Sequence, residues 1–429
     1  MIQRKVIVIG GGLAGLTASA YLAKNNYKAT LIESSPKLGG RTYSFLDKET
    51  NTVLDNGQHI LMGCYFETLN FLSLIQAKEN FYFQKRLEVN FVKEGFRVVP
   101  LKSLPVIYPL NLLLGVLRYK AINFSDRLSL IKVFLKVPFY SSNKLSGMNI
   151  KEWLENENQS KNVQDAFWRI LAIGALNTSF KKASAKIFVD IIRQIFLTGK
   201  KAATIILPKF GLTESFCRDA EEYIINNGGE ILFSETALKL VIKDDRITEV
   251  HTSNRVYTDF DFIITAIPAF ALSRVLDEKY QIKIPEFNYS TILNIHLWLK
   301  ENSFPKGFFG LINSPLHWVF NKGTHLNIVI SDAEELASKS DEDLILMVKS
   351  EVQKFFLLNP DIISNYKIIK EKRATFIPSN YILDKRPQQK TKIKNLILAG
   401  DWVDTGLPST IESAVKSGRV AADLILNMK

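Results

Sequence analysis

KVIVIGGGLAG, residues 5–15, is the stretch that decides the fold. A short β-rich run at 5–9 ends in three consecutive glycines, and from 13 to 22 the pattern becomes that of a helix with small residues. A second β-rich run, KATLIE, follows at 28–33. Together the three segments are typical of a βαβ unit, which takes about 30 residues. The sequence therefore predicts an α/β fold of the Rossmann type.

Gly10, Gly12 and Gly15 give this unit the spacing G-x-G-x-x-G between strand and helix. In a dinucleotide-binding turn the first glycine permits the tight turn, the second lets the backbone approach a pyrophosphate, and the third lets the helix pack on the strand. The phosphates then lie at the helix N-terminus. Glu33 ends the second run, where a carboxylate can accept hydrogen bonds from ribose hydroxyls. The prediction is a dinucleotide site; the alternative is a tight structural turn.

Three later segments favour FAD over a nicotinamide cofactor. LGGR at 38–41 follows the acidic end of the second strand and places a close backbone passage and a cation near the pyrophosphate, and TAIP at 265–268 ends another strand. LAGD at 398–401 ends a late strand and carries Asp401, and a helix is predicted to begin near Thr410. The free N–H groups and positive dipole end of that helix would stabilise negative charge on a reduced flavin. A nicotinamide enzyme needs no such closing element.

The composition is that of a folded protein with an excess of basic residues. The chain has 429 residues, 46% of them hydrophobic, and a net charge of +12 from 55 Lys+Arg against 43 Asp+Glu. The hydrophobic fraction excludes a disordered protein, and the length allows two or three domains. The charge favours anionic partners, or reflects positive charge spread over an ordinary solvated surface. No nucleic-acid-binding signature is present, so nucleic acid is not an expected partner.

Cys64 and Cys217 cannot form a disulfide framework, and no signal peptide is expected before the first strand, so a reducing cytoplasm is the expected location. The most apolar window, LPVIYPLNLLLGVL at 104–117, contains two prolines and is shorter than the roughly 20 residues of a membrane-spanning helix. Lys102 and Arg118 flank it. We interpret the window either as a buried core helix or as a segment that contacts a membrane surface.

The rest of the chain is predicted to alternate between helical and strand-rich segments. Residues 71–200 are predicted to be mostly helical, because long apolar runs recur there at helical spacing. Residues 211–235 indicate a helix, a Gly-Gly stop and a strand, and 236–268 indicate hairpin-like strands. STILNIHLWL at 290–299 is a further predicted strand, and NLILAGD at 395–401 is a buried strand that precedes a loop and a helix.

Two sets of segments resemble known families. The first set resembles the superfamily of FAD-dependent amine oxidases and phytoene desaturases, and its segments follow the superfamily's order along the chain. They are GGGLAGLTASAYLA, IESSPKLGGRTYSF and AGD with ESAVKSGRVAA. The second set resembles the squalene-associated branch of this superfamily, the hydroxysqualene dehydroxylases. Its segments are LDNGQHILMGCYFETL, AFWRILAIGALNTSFKKASAKIFVDIIRQIF and GDWVDTGLPSTIESAVKSGRVAADLI. The second set extends the resemblance through the middle of the chain.

The resemblance implies a Rossmann-type FAD-binding domain of the glutathione-reductase-like class, together with a mixed sheet and a helical substrate domain. The FAD-binding domain is expected to be discontinuous and to comprise residues 1–70, 205–270 and 385–429. The substrate domain is expected to comprise residues 71–204 and 271–384. FAD is expected to be bound non-covalently.

The resemblance also implies cofactor contacts for individual residues. The pyrophosphate would contact Gly10, Gly12, Leu13, Ala14 and Gly15, and the adenosine ribose would contact Glu33. Gly40 and Arg41 would belong to the second phosphate-side loop. Leu238 matches the strand residue whose backbone pairs with adenine, although the family more often has Val there. Gly400 and Asp401 match the closing motif, and the N–H of Ile411 would reach the pyrimidine side of the flavin.

VLDNGQHILMG at 53–63 places a polar step between two apolar runs. A surface turn is one interpretation. The resemblance implies instead a loop beside the isoalloxazine ring, where Gly57 permits close approach and Gln58 and His59 frame the ring. His59 is a tentative catalytic residue, since an imidazole with a pKa near 6.5 can donate a proton to a departing hydroxyl; the alternative is that it only shapes the site.

Other polar and aromatic residues carry weaker expectations. Asp404 could face the site or be solvated in its loop. Trp168 and Asn177 could line the substrate cavity, with core packing as the alternative for the tryptophan. The histidines other than His59 show no ligand spacing, so no metal is expected.

The resemblance implies a reaction in which the hydroxyl group of hydroxysqualene, a C30 isoprenoid, is removed reductively to give squalene. Such a reaction needs hydride from reduced FAD and a dry, elongated apolar site. NAD(P)H is the expected external reductant, and peripheral membrane contact is an expected interaction. A carotenoid-type desaturase, an amine oxidase and a non-catalytic flavoprotein subunit are the alternatives.

Overall fold

The computed structural model describes residues 3–277 and 282–428. The N-terminal part begins with a βαβ unit and continues with short strands. Its elements are β1 (Lys5–Ile9), α1 (Leu13–Lys24), β2 (Lys28–Ile32), β3 (Ser44–Asp47), β4 (Thr52–Asp55), β5 (Leu61–Met62), α2 (Phe66–Leu74), β6 (Phe81–Phe83), β7 (Glu88–Lys93) and β8 (Arg97–Lys102).

A helical stretch follows. Its helices are α3 (Leu110–Leu117), α4 (Phe124–Lys136), α5 (Ser142–Leu145), α6 (Ile150–Asn156), α7 (Lys161–Val163), α8 (Arg169–Leu176) and α9 (Ala185–Leu197). A π-helical segment, Gln164–Trp168, joins α7 to α8.

The C-terminal half returns to strands separated by helices. Its first elements are β9 (Ile205–Pro208), α10 (Asp219–Asn226), β10 (Glu230–Leu232), β11 (Ala237–Lys243), β12 (Arg246–Thr252), β13 (Val256–Tyr257), β14 (Phe262–Thr265) and α11 (Ala269–Val275). The remaining ones are β15 (Tyr289–Leu299), β16 (Gly307–Leu311), β17 (Trp318–Asn321), β18 (Leu326–Ile330), α12 (Glu334–Ala337), α13 (Asp341–Phe356), β19 (Ile363–Phe376), α14 (Asn380–Leu383), β20 (Leu396–Leu398) and α15 (Ile411–Leu426).

The first of the two large sheets is a five-stranded parallel sheet with strand order β10-β2-β1-β14-β20. Successive residues of β1 point to opposite faces and are buried on both. Val6 and Val8 contact the core that includes α1 and α15, whereas Ile7 and Ile9 contact the core formed with β11, β12 and α11. Burial on both faces explains why β1 reads as an unbroken apolar run. The predicted α/β fold of the Rossmann type is confirmed.

The second large sheet is a seven-stranded mixed sheet with strand order β19-β15-β18-β17-β16-β7-β8. The odd-numbered apolar residues of β15 pack under α13. Asn294 and His296 point to the other face of the same strand, since side chains alternate along it. The helices α4, α8 and α9 share a core with β7, β16 and β17. The predicted mixed sheet and helical region are therefore present.

The prediction that residues 71–200 are mostly helical was wrong for part of this range. Residues 81–102 form β6, β7 and β8, and β7 and β8 complete the edge of the seven-stranded sheet. β7 pairs in parallel with β16, whose register joins Asn90 to Phe309. Pairing between such distant segments depends on tertiary packing, so local apolar spacing did not indicate it. The hairpin that β7 forms with β8 is local, and its turn at Gly95 was a signal that the prediction did not use.

The predicted domain division is compatible with the sheets but is not tested by them. All five strands of the parallel sheet lie within 1–70, 205–270 and 385–429. β9 pairs with β5 and also with β6, so one small sheet joins the two predicted domains. Residues 278–281 of the predicted substrate domain lie outside the described residues. Within the described ranges, the structure contains no helix with the length and apolarity that crossing a bilayer requires.

Candidate functional site

The turn between β1 and α1 is built on glycines that leave no room for a side chain. Gly10 has a φ of +107°, and a Cβ there would lie 2.8 Å from the carbonyl oxygen of Ala266. A Cβ on Gly15 would overlap the carbonyl oxygen of Gly10. These two glycines therefore close the turn tightly and bring α1 against the strand end.

The N-terminus of α1 presents free backbone donors. Gly12 is the N-cap and has no side chain to cap the helix, and the first turn holds no acidic residue. The first backbone bond within the helix runs from the Leu16 N–H to the Gly12 carbonyl. Leu13 and Ala14 lie in the turn that precedes that bond, so their N–H groups can bind an anion.

The open side of this helix end faces a second glycine loop. A Cβ on Gly12 would meet only the Cα of Gly40, at 3.9 Å, among neighbouring groups within 4 Å. Gly39 donates its N–H to the Gly11 carbonyl at 2.9 Å, which holds the two loops side by side. The resulting cradle has two glycine walls and a helix N-terminus, and it fits the pyrophosphate of FAD.

Glu33 is fixed just beyond the end of β2 by backbone donors. Gly11 donates its N–H to Oε2 at 2.6 Å, and Ser35 donates its N–H to Oε1 at 2.7 Å. The half-buried carboxylate thus has a set orientation beside the glycine turn and retains lone pairs for ribose hydroxyls. This arrangement fits the predicted contact with adenosine.

Arg41 and Asp401 form an ion pair that joins the second glycine loop to the C-terminal segment. Nη2 of Arg41 lies 2.6 Å from Oδ1 of Asp401, and Nη1 donates to the Ala374 carbonyl at 2.7 Å. Ser409 also donates its hydroxyl to Asp401. Burial alone would raise the pKa of the Asp401 carboxyl, but the Arg41 charge and these hydrogen bonds lower it. Asp401 is therefore ionised at neutral pH.

The C-terminal closing element also has the predicted form. Gly400 has a φ of +134° and donates its N–H to Ser417 Oγ at 2.8 Å. Thr410 caps α15, because its side chain accepts from the Ser413 N–H. Ile411 is the first helical residue, so its N–H is one of the donors at the helix end that have no acceptor within the helix.

Glu412 joins this helix end to α2, which sequence reasoning missed. Its carboxylate accepts the Glu67 and Thr68 N–H groups, both at 2.9 Å, and the Thr68 hydroxyl at 2.6 Å. α2 has Tyr65 as its N-cap and no side-chain cap of its own. An acidic residue in the first turn of the predicted helix was the available signal, but its burial and its partners could not be predicted from sequence.

The loop at 57–59 follows β4 and lies against the seven-stranded sheet. A Cβ on Gly57 would lie 3.2 Å from Nδ2 of Asn294. Nδ2 of Asn294 donates to the Asn56 carbonyl at 2.9 Å, whereas its Oδ1 is buried without a hydrogen-bond partner. Asn56 in turn donates from Nδ2 to the Arg41 carbonyl at 3.3 Å, which joins this loop to the phosphate-side loop.

Gln58 is held by an ion pair between the buried Asp55 and the half-buried Lys322. Its Nε2 donates to Oδ2 of Asp55 at 3.0 Å, and Lys322 lies 3.3 Å from both the Asp55 carboxylate and Gln58 Oε1. Asp55 also accepts from Ser44 and from the Leu212 N–H. Sequence reasoning missed Lys322 and Asn294. The polar residues at alternate positions of an otherwise apolar β15 were the available signal for the second.

His59 is half-buried beside this cluster. Burial lowers the pKa of the imidazole to about 4, with Asp55 acting to raise it and Arg41 to lower it further. The ring is therefore neutral at pH 7. Its role as a catalytic residue stays a prediction.

The structure also gives the surroundings of four other predicted residues. Leu238 is 54% exposed and lies at a bulge in β11, where no residue of β12 is its cross-strand partner. Asp404 is exposed and accepts from the Gln388 side chain and from the Gly406 N–H of its own loop. Trp168 is fully buried in an aromatic core cluster. Asn177 ends α8 and bonds to Thr375 and Asp332, which ties the helical region to the sheet.

Comparison with known proteins agrees with this geometry. The family model described as "Flavin containing amine oxidoreductase" matches residues 13–426. Hydroxysqualene dehydroxylase of Zymomonas mobilis is 27% identical over 436 aligned residues, which cover 98% of each chain. The 15-cis-phytoene desaturase of Synechococcus elongatus is 23% identical, with 98% of this chain and 96% of that protein covered. A solved oxidoreductase from Methanosarcina mazei shares the fold, with a TM-score of 0.73 at 16% identity over 98% of this chain and all of that one.

Proposed function

This chain belongs to the family of flavin-containing amine oxidoreductases and is an FAD-dependent oxidoreductase, and we propose that it removes the hydroxyl group of hydroxysqualene reductively to give squalene. The observation that carries the proposal is the similarity to the Zymomonas mobilis enzyme along 98% of both chains. Similarity over that length includes the sheet and helices outside the FAD cradle, where the substrate is expected to bind.

The proposed reaction is balanced by one hydride and one proton. The C–O bond breaks, a C–H bond forms at the same carbon, and the hydroxyl group leaves as water. Bound FAD in its reduced state supplies the hydride. The chain must hold the cofactor, orient the isoprenoid, keep water away and supply a proton.

The residues around the cradle are the proposed cofactor contacts. The N-terminus of α1 and the Gly12–Gly40 walls would hold the pyrophosphate, and Glu33 would hold the ribose. Asp401 and Arg41 fix the two loops to each other. Gly57 would let its backbone approach the ring without a Cβ, and the Asp55–Lys322 pair holds the adjacent Gln58 in place.

His59 is the proposed proton donor, and its environment makes the proposal testable by pH. Because the pKa of His59 is about 4, the protonated ring becomes more abundant as pH falls from 7 toward 4. Turnover that depends on imidazolium therefore rises over this interval, and His59→Asn abolishes the rise while retaining bound flavin. A His59→Asn variant with wild-type turnover and the same pH profile would show that His59 only shapes the site.

The reaction is tested by product analysis. The purified flavoprotein is incubated anaerobically with hydroxysqualene and a flavin reductant, and the extracted lipids are identified by mass spectrometry. Squalene that forms only with both protein and reductant supports the proposal. Unchanged substrate beside a normal flavin spectrum contradicts it and favours a desaturase reaction, for which the similarity to the Synechococcus elongatus enzyme is the supporting observation. Incubation of the oxidised protein with a polyisoprene then tests that second function.

We further propose that NAD(P)H reduces the flavin from outside. This donor has the two electrons that each dehydroxylation consumes, delivered as a hydride. Anaerobic addition of NADH or NADPH should bleach the visible absorbance of the bound flavin. Absorbance that stays unchanged with both nucleotides, but falls with dithionite, would exclude NAD(P)H as the direct donor.

A further inference from the structure

Large apolar side chains are exposed around the first two long helices of the helical region. Phe139 is 85% exposed, Ile107 73%, Phe124 62% and Leu135 59%. Other exposed members on the same helices and at the end of α9 are Leu110, Leu114, Leu128 and Leu197. We call these eight residues the α3/α4 face. On α4 the exposed apolar positions 124, 128 and 135 recur at helical spacing, so they form a stripe along one side of the helix.

Contacts among neighbouring residues bring parts of this face together. Tyr108 donates its hydroxyl to the Phe196 carbonyl at 2.8 Å, and the rings of Phe134 and Phe196 pack with centroids 5.0 Å apart. Ile107, Leu135 and Leu197 each adjoin one of these three residues in the chain. The start of α3, the end of α4 and the end of α9 therefore meet at one place. Arg193 of α9 also donates to the Val137 carbonyl, which holds the segment before Phe139 on α9.

The chain around this face is rich in basic side chains, although acidic residues from neighbouring segments pair with two of them, Lys102 with Glu88 and Lys136 with Glu157. Residues 102–144 contain seven basic residues, namely Lys102, Arg118, Lys120, Arg127, Lys132, Lys136 and Lys144, and a single acidic one, Asp126. Asp126 is buried and accepts hydrogen bonds from Ser160 and Asn162, so it presents little charge to solvent. Lys200 and Lys201 add two exposed cations just after α9.

We propose that the α3/α4 face docks on an anionic lipid membrane. An apolar stripe bordered by cations matches the interface of such a bilayer, where apolar side chains enter the acyl boundary and Lys and Arg contact headgroups. A symmetric dimer through the same face would place these cations against their copies, and their repulsion opposes it. A nucleic acid would leave the apolar side chains against phosphates. The proposal does not depend on which isoprenoid reaction the enzyme performs.

The structure widens the sequence interpretation of the window at 104–117. Part of that window is buried, since Val116 lies in the core and Asn111 is buried. The larger part of the exposed apolar surface lies instead on α4 and the segment up to Phe139, which sequence reasoning did not single out. α3 thus has a buried side, as the core interpretation expected, and an exposed apolar side that belongs to the proposed docking face.

The test is co-sedimentation of the purified flavoprotein with vesicles at low salt. Vesicles of equal parts phosphatidylcholine and phosphatidylglycerol should pellet the wild-type protein, and vesicles of phosphatidylcholine alone should pellet far less of it. The double variant Leu135→Ser with Phe139→Ser should lower the vesicle partition coefficient at least about tenfold, because it removes two inserting side chains. Added salt should release the protein by screening the headgroup charge.

Leu346→Ser is the matched control. Leu346 is 64% exposed on α13, outside the α3/α4 face, so this variant should bind vesicles like the wild type. Equal flavin absorbance in all three proteins shows that folding is unchanged. Wild-type protein that stays in the supernatant with anionic vesicles, or a double variant that pellets like the control, would overturn the proposal. A lipid-free wild-type dimer that the double variant converts to monomer in sedimentation velocity would assign the face to self-association instead.

Discussion

Replacing Glu412 by alanine should destabilise the protein, because this carboxylate is the cap of another helix. Three donors at the start of α2 lose their acceptor: the Glu67 N–H, the Thr68 N–H and the Thr68 hydroxyl. Thr68 is fully buried, so water cannot readily replace the lost bonds. The N-cap residue of α2 offers no side-chain bond as a substitute.

The size of the effect follows from the buried donors. An unsatisfied buried donor costs about 1–3 kcal/mol, and the half-buried N–H of Glu67 costs less than the buried donors of Thr68. Burial also raises the pKa of Glu412, so removing the carboxylate recovers some desolvation free energy. The net loss should be about 3 kcal/mol. With an unfolding entropy of about 2.1 cal/mol/K per residue, the 429 residues convert this loss to a decrease in Tm of about 3 °C.

The assay is thermal unfolding by circular dichroism, with two comparison variants. Glu412→Gln keeps one acceptor oxygen and should lose about half as much in Tm. Glu342→Ala is the matched control, since Glu342 is also the second residue of a 16-residue helix but is exposed. Only its favourable interaction with the helix dipole is lost, about 0.3–1 kcal/mol. A Glu412→Ala protein that melts at the same temperature as Glu342→Ala would refute the assignment of Glu412 as the cap of α2.

Three further predictions concern the cofactor and pH. Gly15→Ala should abolish flavin retention, because the added Cβ would overlap the backbone of Gly10. The control Gly174→Ala in α8, where a Cβ meets only a neighbour at 3.9 Å, should retain full flavin. Retention is measured as the ratio of visible to ultraviolet absorbance. Glu33→Ala should weaken FAD binding about 10- to 100-fold in a titration of the deflavinated protein, through loss of bonds to a charged acceptor, and an unchanged Kd would contradict the ribose assignment. Burial lowers the pKa of His296 to about 3 and that of His325 to about 4. Below pH 6.5 the unfolded chain therefore binds more protons than the folded one, and the free energy of unfolding falls as pH decreases. At pH 5.5 the loss is about 1.4 kcal/mol per histidine. His296→Gln should flatten the decrease in Tm between pH 7.5 and 5.5; a Tm that is constant over this interval in the wild type would contradict the shift.

Local chemistry made much of the FAD cradle predictable. Gly10 and Gly15 were identifiable because a side chain at either position would collide with neighbouring backbone, a requirement that belongs to the turn itself. β1 was identifiable because a strand buried on both faces is apolar throughout. The start of α15 at Ile411 was identifiable because Thr410 is a cap by its chemistry.

Contacts between distant segments were not predictable in this way. Lys322 reaches Asp55 across 267 residues, and Glu412 reaches Thr68 across 344. β7 was assigned to a helical region although it forms a local hairpin with β8; only its pairing with β16, more than half the chain away, lay beyond the local pattern. The local conformation of either residue in such a contact is the same whether or not its partner is present, so the local sequence does not indicate the partner.

The sequence alone therefore determined the opening βαβ unit, the glycine turn, the acidic residue beside it and the closing helix, because each rests on backbone conformation and residue chemistry within a short segment. Only the tertiary structure decided that Arg41 pairs with Asp401, that Asn294 and Lys322 support the loop at 57–59, and that α4 carries an exposed apolar stripe. The physical reason is that burial and pairing are properties of the packed chain, since they depend on which surfaces meet after folding.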